Sequence, residues 1–447
     1  MENILILNAQ IINEGLIQEL DIYIKDGFIE KIAPDLSHMQ ASSVIIDAKG
    51  KYIMPGIIDD QVHFREPGLT HKGNIASESK AALAGGTTTF MEMPNTVPNV
   101  LTQELLADKY AIANKTAWTN YSFFMGGSNT NLEEVLKTNL KNICGLKLFM
   151  GSSTGNMLVD DIGALENIFI KFPGLIATHC EDEITVKTRM EQFKRKYDNQ
   201  ILPADIHAQI RNVDACYKSS ELAVGLAKKH GTRLHVLHIS TEKELALFEN
   251  TTPLKSKKIT AEACVHHLYF DAADYETLGT QIKCNPAIKA NQRAGILKGL
   301  LENNIDIIAT DHAPHTWDEK QNDYWNAPSG LPLVQHSLQI MLDFYKKGQI
   351  SLEKIIEKMC HAPADCFAID RRGYVREGYW ADLVIVDIEQ YQTVTKENIL
   401  YACKWSPLEG KTLPGVVETT LISGQIQYHK GEFFQKNAGQ RVLFNRD

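Results

Sequence analysis

The sequence lacks the features that would place this chain in a membrane, outside the cell or on a nucleic acid. No apolar run reaches the roughly 18 residues of a bilayer span, and the first residues do not have the basic start and apolar core of a signal peptide. Basic residues are in the minority, with a net charge of −9, which argues against a nucleic-acid partner. None of the eight cysteines forms a Cys-x-x-Cys pair, so we expect reduced, buried thiols in a cytoplasmic protein.

Repeats and low-complexity segments are also missing, and the rest of the chain divides into three parts. Residues 1–54 and 367–447 consist of short apolar runs separated by turn residues, which is typical of β-strands. We expect these two ends to form one small composite β-sandwich domain beside the central segment, residues 55–366.

The central segment alternates strand-like runs with stretches rich in Ala, Leu, Lys and Glu. The eight runs begin at Ile57, Thr87, Asn120, Ile143, Leu175, Leu234, Ile259 and Ile305. Eight such alternations predict an α/β fold of the (β/α)8 TIM-like barrel type. A doubly wound open sheet is the alternative, and a strand count alone favours the barrel without excluding it.

The first barrel run ends in a polar stretch around which the chain is organised. Because residues two apart on a strand share a face, we expect Gln61 and His63 on one face and Asp60 on the other. His63 then lies at the mouth of a buried strand, with Arg65 two residues later. This spacing places a metal-binding or proton-transferring group beside an anion-binding one.

Ionisable or amide side chains occur at or just after the ends of six different runs. They are His63, Asn95, Lys147, His179, His238 and Asp311. In a barrel these ends meet at one face, where active sites lie. A single histidine there is more often structural, but three with an aspartate predict a divalent metal site, with Zn²⁺ as the first choice. Asp311 is the candidate for holding the attacking water and moving its proton.

Several of these residues also allow a structural interpretation. Lys147 could extend its amine out of the core or pair with an acid, but beside a metal a buried ammonium suggests carboxylation by CO₂ into a carbamate. Arg65 suits a small anionic substrate with a carboxylate, or it could pair with Glu66. Asn95 and Asn285 could orient amide groups, although both stand beside prolines and could simply form turns.

The motifs around these residues resemble those of the dihydroorotases, cyclic amidases of the amidohydrolase superfamily. The matching stretches are 63–68, 93–96, 179–182, 238–241 and 311–315, and the resemblance covers nearly the whole chain. It implies a metal-dependent barrel with a composite β-domain. The implied activity is the reversible conversion of N-carbamoyl-L-aspartate into (S)-dihydroorotate in pyrimidine synthesis.

The resemblance also implies roles for individual residues. The metal ligands would be His63, Lys147 as a carbamate, His179, His238 and Asp311, with Asp311 also the catalytic acid and base. Arg65, Asn95 and His315 would hold the substrate carboxylate. Asn285 and the backbone around Gly330 and Leu331 would hold the ring amides.

One position departs from the family pattern. Gln61 stands where the first metal-binding histidine is usual, and a Gln oxygen is a poorer Zn²⁺ ligand than imidazole. We therefore expect one or two metals, with the first-strand metal weaker or absent. Allantoinase, dihydropyrimidinase or hydantoinase activity and an inactive scaffolding subunit remain alternatives, as do a homodimer and association with other enzymes of the pathway.

Overall fold

The computed structural model of this chain describes residues 2–151, 156–197, 200, 202–435 and 437–446. Five N-terminal strands come first: β1 (Asn3–Asn13), β2 (Leu16–Lys25), β3 (Phe28–Ala33), β4 (Ser43–Asp47) and β5 (Tyr52–Pro55). The central strands are β6 (Ile57–Val62), β7 (Thr87–Glu92), β8 (Asn120–Phe123), β9 (Met125–Gly126), β10 (Leu146–Phe149), β11 (Leu175–His179), β12 (Arg233–Val236), β13 (Ile259–Cys264) and β14 (Ile307–Ala309). The C-terminal strands are β15 (Leu383–Thr393), β16 (Thr412–Ile422), β17 (Gln425–His429) and β18 (Glu432–Phe433).

The helices lie between or after the central strands. They are α1 (Ile75–Ala84), α2 (Gln103–Thr116), α3 (Leu132–Val135), α4 (Ile162–Lys171), α5 (Glu183–Lys196), α6 (Ile206–Ile210), α7 (Val213–His230), α8 (Val265–Tyr269), α9 (Tyr275–Leu278), α10 (Arg293–Leu301), α11 (Trp317–Lys320), α12 (Ser337–Lys346), α13 (Leu352–Ile356) and α14 (Ala362–Phe367). Polar residues cap the first turns of several helices: Asn74 caps α1 and Asn212 caps α7. None of these described helices has the length and hydropathy to cross a bilayer.

The central strands close into a parallel barrel. β6, β7 and β8 pair in one sheet and β9 to β14 in another, and only Phe124 separates β8 from β9. The seam between β14 and β6 is closed by a parallel bridge of Val62 with His312, where His63 N–H donates to the His312 carbonyl at 2.7 Å. Counting β8 and β9 as one, the described residues supply eight barrel strands, which confirms the predicted fold class.

The two ends of the chain share one sheet beside the barrel. Its order in the described residues is β18-β17-β16-β15-β5-β1-β2-β3, with β4 paired to β1. β5 pairs antiparallel with β15, so strands from both ends meet at the centre of this sheet. Its hydrogen bonding is continuous because β1 pairs with β2, β4 and β5.

A β-bulge in β6 changes which side chains face the barrel interior. The pairing with β7 shifts between Asp59 and Val62, so strict alternation fails there. Gln61 contacts Asp311, but Asp60 also faces inward and lies 3.2 Å from His235 on β12. The expectation that Asp60 and Gln61 occupy opposite faces is therefore wrong.

A buried ion pair joins the barrel to its outer helices and gives a stability prediction. Lys109 Nζ on α2 lies 3.1 Å from Glu92 Oε2 on β7, and both side chains are fully buried. Removing the lysine would leave a carboxylate unpaired in the core, so we expect Lys109→Met to lower the free energy of unfolding by about 3–5 kcal/mol. Denaturant unfolding measures this, with exposed Lys115→Met on the same helix as control. Equal stability of the two variants would contradict the expectation.

Candidate active site

The predicted site residues meet at a cavity at the carboxyl ends of the barrel strands. Its volume is about 520 Å³. Eleven residues singled out in the sequence line it: Gln61, His63, Arg65, Asn95, Lys147, His179, His238, Asn285, Asp311, His315 and Gly330. Leu331, the remaining predicted residue, does not line the cavity; it is fully buried and its backbone bridges to His312.

Three of these residues hold an unusual backbone conformation. Arg65, His238 and Asp311 have φ angles of 73°, 40° and 48°, in the left-handed region that residues other than glycine seldom occupy. Such conformations cluster at functional sites because the surrounding fold must stabilise them. Each lies two or three residues beyond the end of its strand, and its side chain lines the cavity.

His179 and His238 present nitrogen atoms to each other at the base of the cavity. His179 Nδ1 lies 2.9 Å from His238 Nε2. The other nitrogen of His179, Nε2, donates to Glu181 Oε2 at 3.0 Å, which leaves a lone pair on Nδ1. Burial lowers the pKa of both histidines, so both are neutral. A neutral imidazole held by a carboxylate is the usual arrangement of a metal-binding histidine.

His63 and Asp311 form the second half of the cluster. His63 Nδ1–H donates to Asn95 Oδ1 at 2.8 Å, so its lone pair at Nε2 faces Asp311 Oδ1 at 3.0 Å. Burial alone would raise the pKa of Asp311, but the contact with His63 outweighs it and the pKa falls below its usual value. Two acceptors this close require a proton or a metal cation between them.

Lys147 lies deep in the same cluster without an anionic partner. Its side chain is 1% exposed, and within the described residues its Nζ makes no hydrogen bond or ion pair; the ring of Phe149 lies 4.6 Å away. Burial lowers the pKa of Lys147 to about 8. Such a lysine is a poor structural element and a good candidate for chemical modification.

The donor set fits a divalent cation. Three neutral imidazoles and a carboxylate converge from four barrel strands, and the unpaired Lys147 lies among them. Gln61 is engaged elsewhere: its amide NH₂ donates to Asp311 Oδ1 at 3.2 Å and its oxygen faces Cys264 Sγ at 3.7 Å. Gln61 therefore acts as a hydrogen-bonding partner of Asp311 in this structure.

The opposite end of the cavity is cationic. Arg65, 8% exposed, donates from Nε to the Pro314 carbonyl at 3.0 Å, which fixes its guanidinium. His315 lies between Arg65 Nη2 and Lys72 Nζ, 3.1 Å from each. Burial and these neighbouring cations lower the pKa of His315 well below its ordinary value, so it is neutral. The site can receive an anion at this end.

The wall beside Asn285 is held by groups that the sequence did not reveal. His207 Nε2 lies 3.0 Å from Asn285 Oδ1, so the Asn285 amide NH₂ is free to face the cavity. The Gly330 N–H donates to the Lys283 carbonyl at 2.8 Å, and the Gly330 carbonyl accepts from buried Lys320 at 2.9 Å. Gly330 thus shapes the wall with both backbone groups already bonded.

Sequence reasoning missed Lys72, Glu181 and His207. Glu181 had a usable signal, because it stands two residues after His179 at a strand end. Lys72 and His207 had none: Lys72 lines the cavity from the loop after β6, and His207 on the short helix α6 contacts Asn285 from behind the wall.

Comparison with known proteins decides the family. A model of the amidohydrolase family matches residues 52–427. The chain belongs to the amidohydrolase family. A dihydroorotase of Methanosarcina mazei is 34% identical over 95% of this amidohydrolase and 94% of its own length. An L-hydantoinase of Paenarthrobacter aurescens is 29% identical over 99% of this chain and 98% of its own length.

The solved structures agree with this assignment. The amidohydrolase superposes on an L-hydantoinase (dihydropyrimidinase) from Arthrobacter aurescens with a TM-score of 0.93 and 28% identity, covering 99% of this chain and 100% of that one. These relatives make it a cyclic amide hydrolase.

Proposed function

We propose that this amidohydrolase is a dihydroorotase, which opens (S)-dihydroorotate to N-carbamoyl-L-aspartate and closes it again in pyrimidine synthesis. The supporting observation is the buried Arg65 guanidinium at the cationic end of the cavity. A buried guanidinium needs an anion, and a carboxylate matches its fork. Dihydroorotate carries a carboxylate on its ring. We propose the cytoplasm as its compartment.

We propose Zn²⁺ as the metal, held by His63, His179, His238, Asp311 and carboxylated Lys147. A divalent cation there would polarise the ring carbonyl and make water more acidic. With a pKa of about 8, part of the Lys147 population is the neutral amine that reacts with CO₂. The resulting anion would replace a buried ammonium that has no partner.

The chain's own groups then have defined tasks. Asp311 takes a proton from the attacking water and returns it to the ring nitrogen that leaves. Its Oδ1 accepts a hydrogen bond from the Gln61 amide NH₂, which fixes the carboxylate in place. Arg65, His315 and the Asn95 amide NH₂ hold the substrate carboxylate, and Asn285 binds a ring amide. Fixing the substrate at both ends supplies orientation.

Hydantoinase or dihydropyrimidinase activity is the second candidate, favoured by the similarity to L-hydantoinase over nearly the full chain. A ring without a carboxylate would leave Arg65 buried and unpaired, which is unfavourable. An allantoinase would face the same difficulty. An inactive scaffold would have no need of a lysine buried among metal ligands.

Metal removal and return test the catalytic proposal. We expect a chelator to reduce both ring opening and ring closure at least about 100-fold, and added Zn²⁺ to restore them. Metal content and turnover are both measured on the same samples of the isolated chain. Full activity in metal-free protein would contradict it, as would a metal-loaded protein that is inactive on dihydroorotate, hydantoins, dihydropyrimidines and allantoin.

Arg65 gives a prediction about substrate choice. We expect Arg65→Met to raise KM for dihydroorotate by about 10²-fold, since a bidentate charged hydrogen bond of a few kcal/mol is lost. Turnover of dihydrouracil, which has no ring carboxylate, should not fall. Steady-state kinetics measure both, with exposed Arg195→Met as the matched control. An unchanged KM for dihydroorotate would argue against the anion-binding role.

A further inference from the structure

A second polar cluster lies inside the barrel, beneath the cavity. It consists of Asp60 on β6, His235 on β12 and Glu262 on β13, each 0% exposed. β6 and β12 are not neighbours around the barrel, so the contact between Asp60 and His235 crosses its interior. None of the three lines the cavity above.

The ligand atoms of this cluster converge on one imidazole nitrogen, whose hydrogen atom points towards Glu262 Oε2. Contacts with Asp60, Cys366 and Glu262 outweigh burial and raise the pKa of His235 above its usual value. His235 Nε2 lies 3.2 Å from Asp60 Oδ2 and 3.4 Å from Glu262 Oε2. Within the described part of the chain, neither oxygen of Asp60 accepts a hydrogen bond, and its one basic neighbour there is His235. A fully buried carboxylate without a donor is strongly unfavourable unless a cation neutralises it.

The far side of His235 is arranged for metal binding. His235 Nδ1 lies 2.8 Å from Thr260 Oγ1, and that hydroxyl donates to the Leu234 carbonyl at 3.3 Å. The hydroxyl oxygen can therefore accept from Nδ1–H, so a metal ion could take the place of the Nε2 proton that faces Glu262. This is how outer hydrogen bonds orient a metal-binding imidazole.

We propose that Asp60, His235 and Glu262 bind a divalent metal ion of the zinc type in the barrel interior, separate from the metal at the cavity. Ligand atoms about 2.1 Å from a tetrahedral Zn²⁺ lie about 3.4 Å apart, close to both distances from His235. Asp60 can supply two oxygens, so four donor atoms are present. Two carboxylates, a neutral imidazole and a dication also sum to zero charge.

The interior metal would support the active site through Glu262. Its second oxygen, Oε1, accepts the His238 backbone N–H at 3.1 Å, and His238 has the left-handed backbone described above. A cation bound at Oε2 would fix Glu262 in place beneath His238.

Metal counting tests the proposal. We expect Asp60→Asn to contain one metal equivalent fewer than the wild type, and His179→Asn to lose metal at the cavity only. The double variant should contain fewer equivalents than either single variant. Asp306→Asn, another buried aspartate, is the control and should keep the wild-type content. Wild-type metal content in folded Asp60→Asn would overturn the proposal, and activity does not enter the count.

Anomalous diffraction at the zinc edge tests the same site without a mutation. Wild-type crystals should show a peak about 2.0–2.2 Å from His235 Nε2 and from a carboxylate oxygen of both Asp60 and Glu262. Loss of this peak in crystals of the Asp60→Asn variant would add support. A map of the Zn²⁺-loaded wild type with density at the cavity and none at His235 would assign the cluster to shared protons and refute the metal.

Discussion

Asp311→Asn should lower kcat for ring opening by about 10³- to 10⁴-fold, because an amide cannot take the proton from the attacking water. The change is nearly isosteric, so the hydrogen bond that Oδ1 accepts from Gln61 can be kept. Ring closure should fall by the same factor, because both directions share one transition state. Steady-state assays in the two directions give both values.

The controls for this variant separate chemistry from folding and metal loss. Metal content should remain largely as in the wild type, since the other ligands are intact, and exposed Asp318→Asn should show wild-type kcat. If Asp311→Asn retains more than about a tenth of wild-type kcat with its metal bound, another group moves the proton. In that case the assignment of Asp311 as the acid and base is wrong.

Lys147→Met should lower kcat/KM by about 10³-fold, because it removes the proposed carbamate and its share of the several kcal/mol of metal-assisted stabilisation. Methionine fills much of the same buried volume, so the fold should persist. Small carboxylates added to the assay should restore part of the activity by occupying the vacated space. Exposed Lys115→Met is the control and should behave as the wild type.

The carbamate itself can be observed independently of activity. Wild-type protein incubated with ¹³C-bicarbonate should show a carbamate carbon signal by NMR that Lys147→Met lacks. A wild type without this signal, together with an active Lys147→Met variant, would show that Lys147 is not a carboxylated ligand.

Much of the barrel could be predicted because its strands are buried on both faces. Continuous apolar runs separated by helical stretches located the strands within a few residues; the run from Thr87, for example, is β7. The helical region directly before the run from Leu234 forms two helices rather than one. α6 and α7 are separate because Asn212 caps the second helix. In the sequence, a capping Asn cannot be told from any other polar residue of the segment.

The convergence of the site residues followed from the fold, but their orientations did not. Polar groups at the ends of parallel strands must share one face, and the cavity brings His63, Lys147, His179 and His238 together. The left-handed backbone at His238 and Asp311 depends on tertiary contacts that a sequence pattern does not contain. The roles of these residues remain predictions.

The β6 bulge could not be predicted from the two-residue periodicity of a strand. One extra residue turns both Asp60 and Gln61 inward, and nothing in the local sequence announces it. The consequence is that Asp60 contacts His235 inside the barrel while its neighbour Gln61 also reaches Asp311.

The ratio of kcat/KM for (S)-dihydroorotate to that for dihydrouracil tests the central claim most directly. The two rings differ only by the carboxylate that we assign to Arg65, and the wild-type, metal-loaded enzyme serves for both assays. We predict a ratio above about 10³. A ratio near one, or a preference for dihydrouracil, would contradict the account and favour the dihydropyrimidinase alternative.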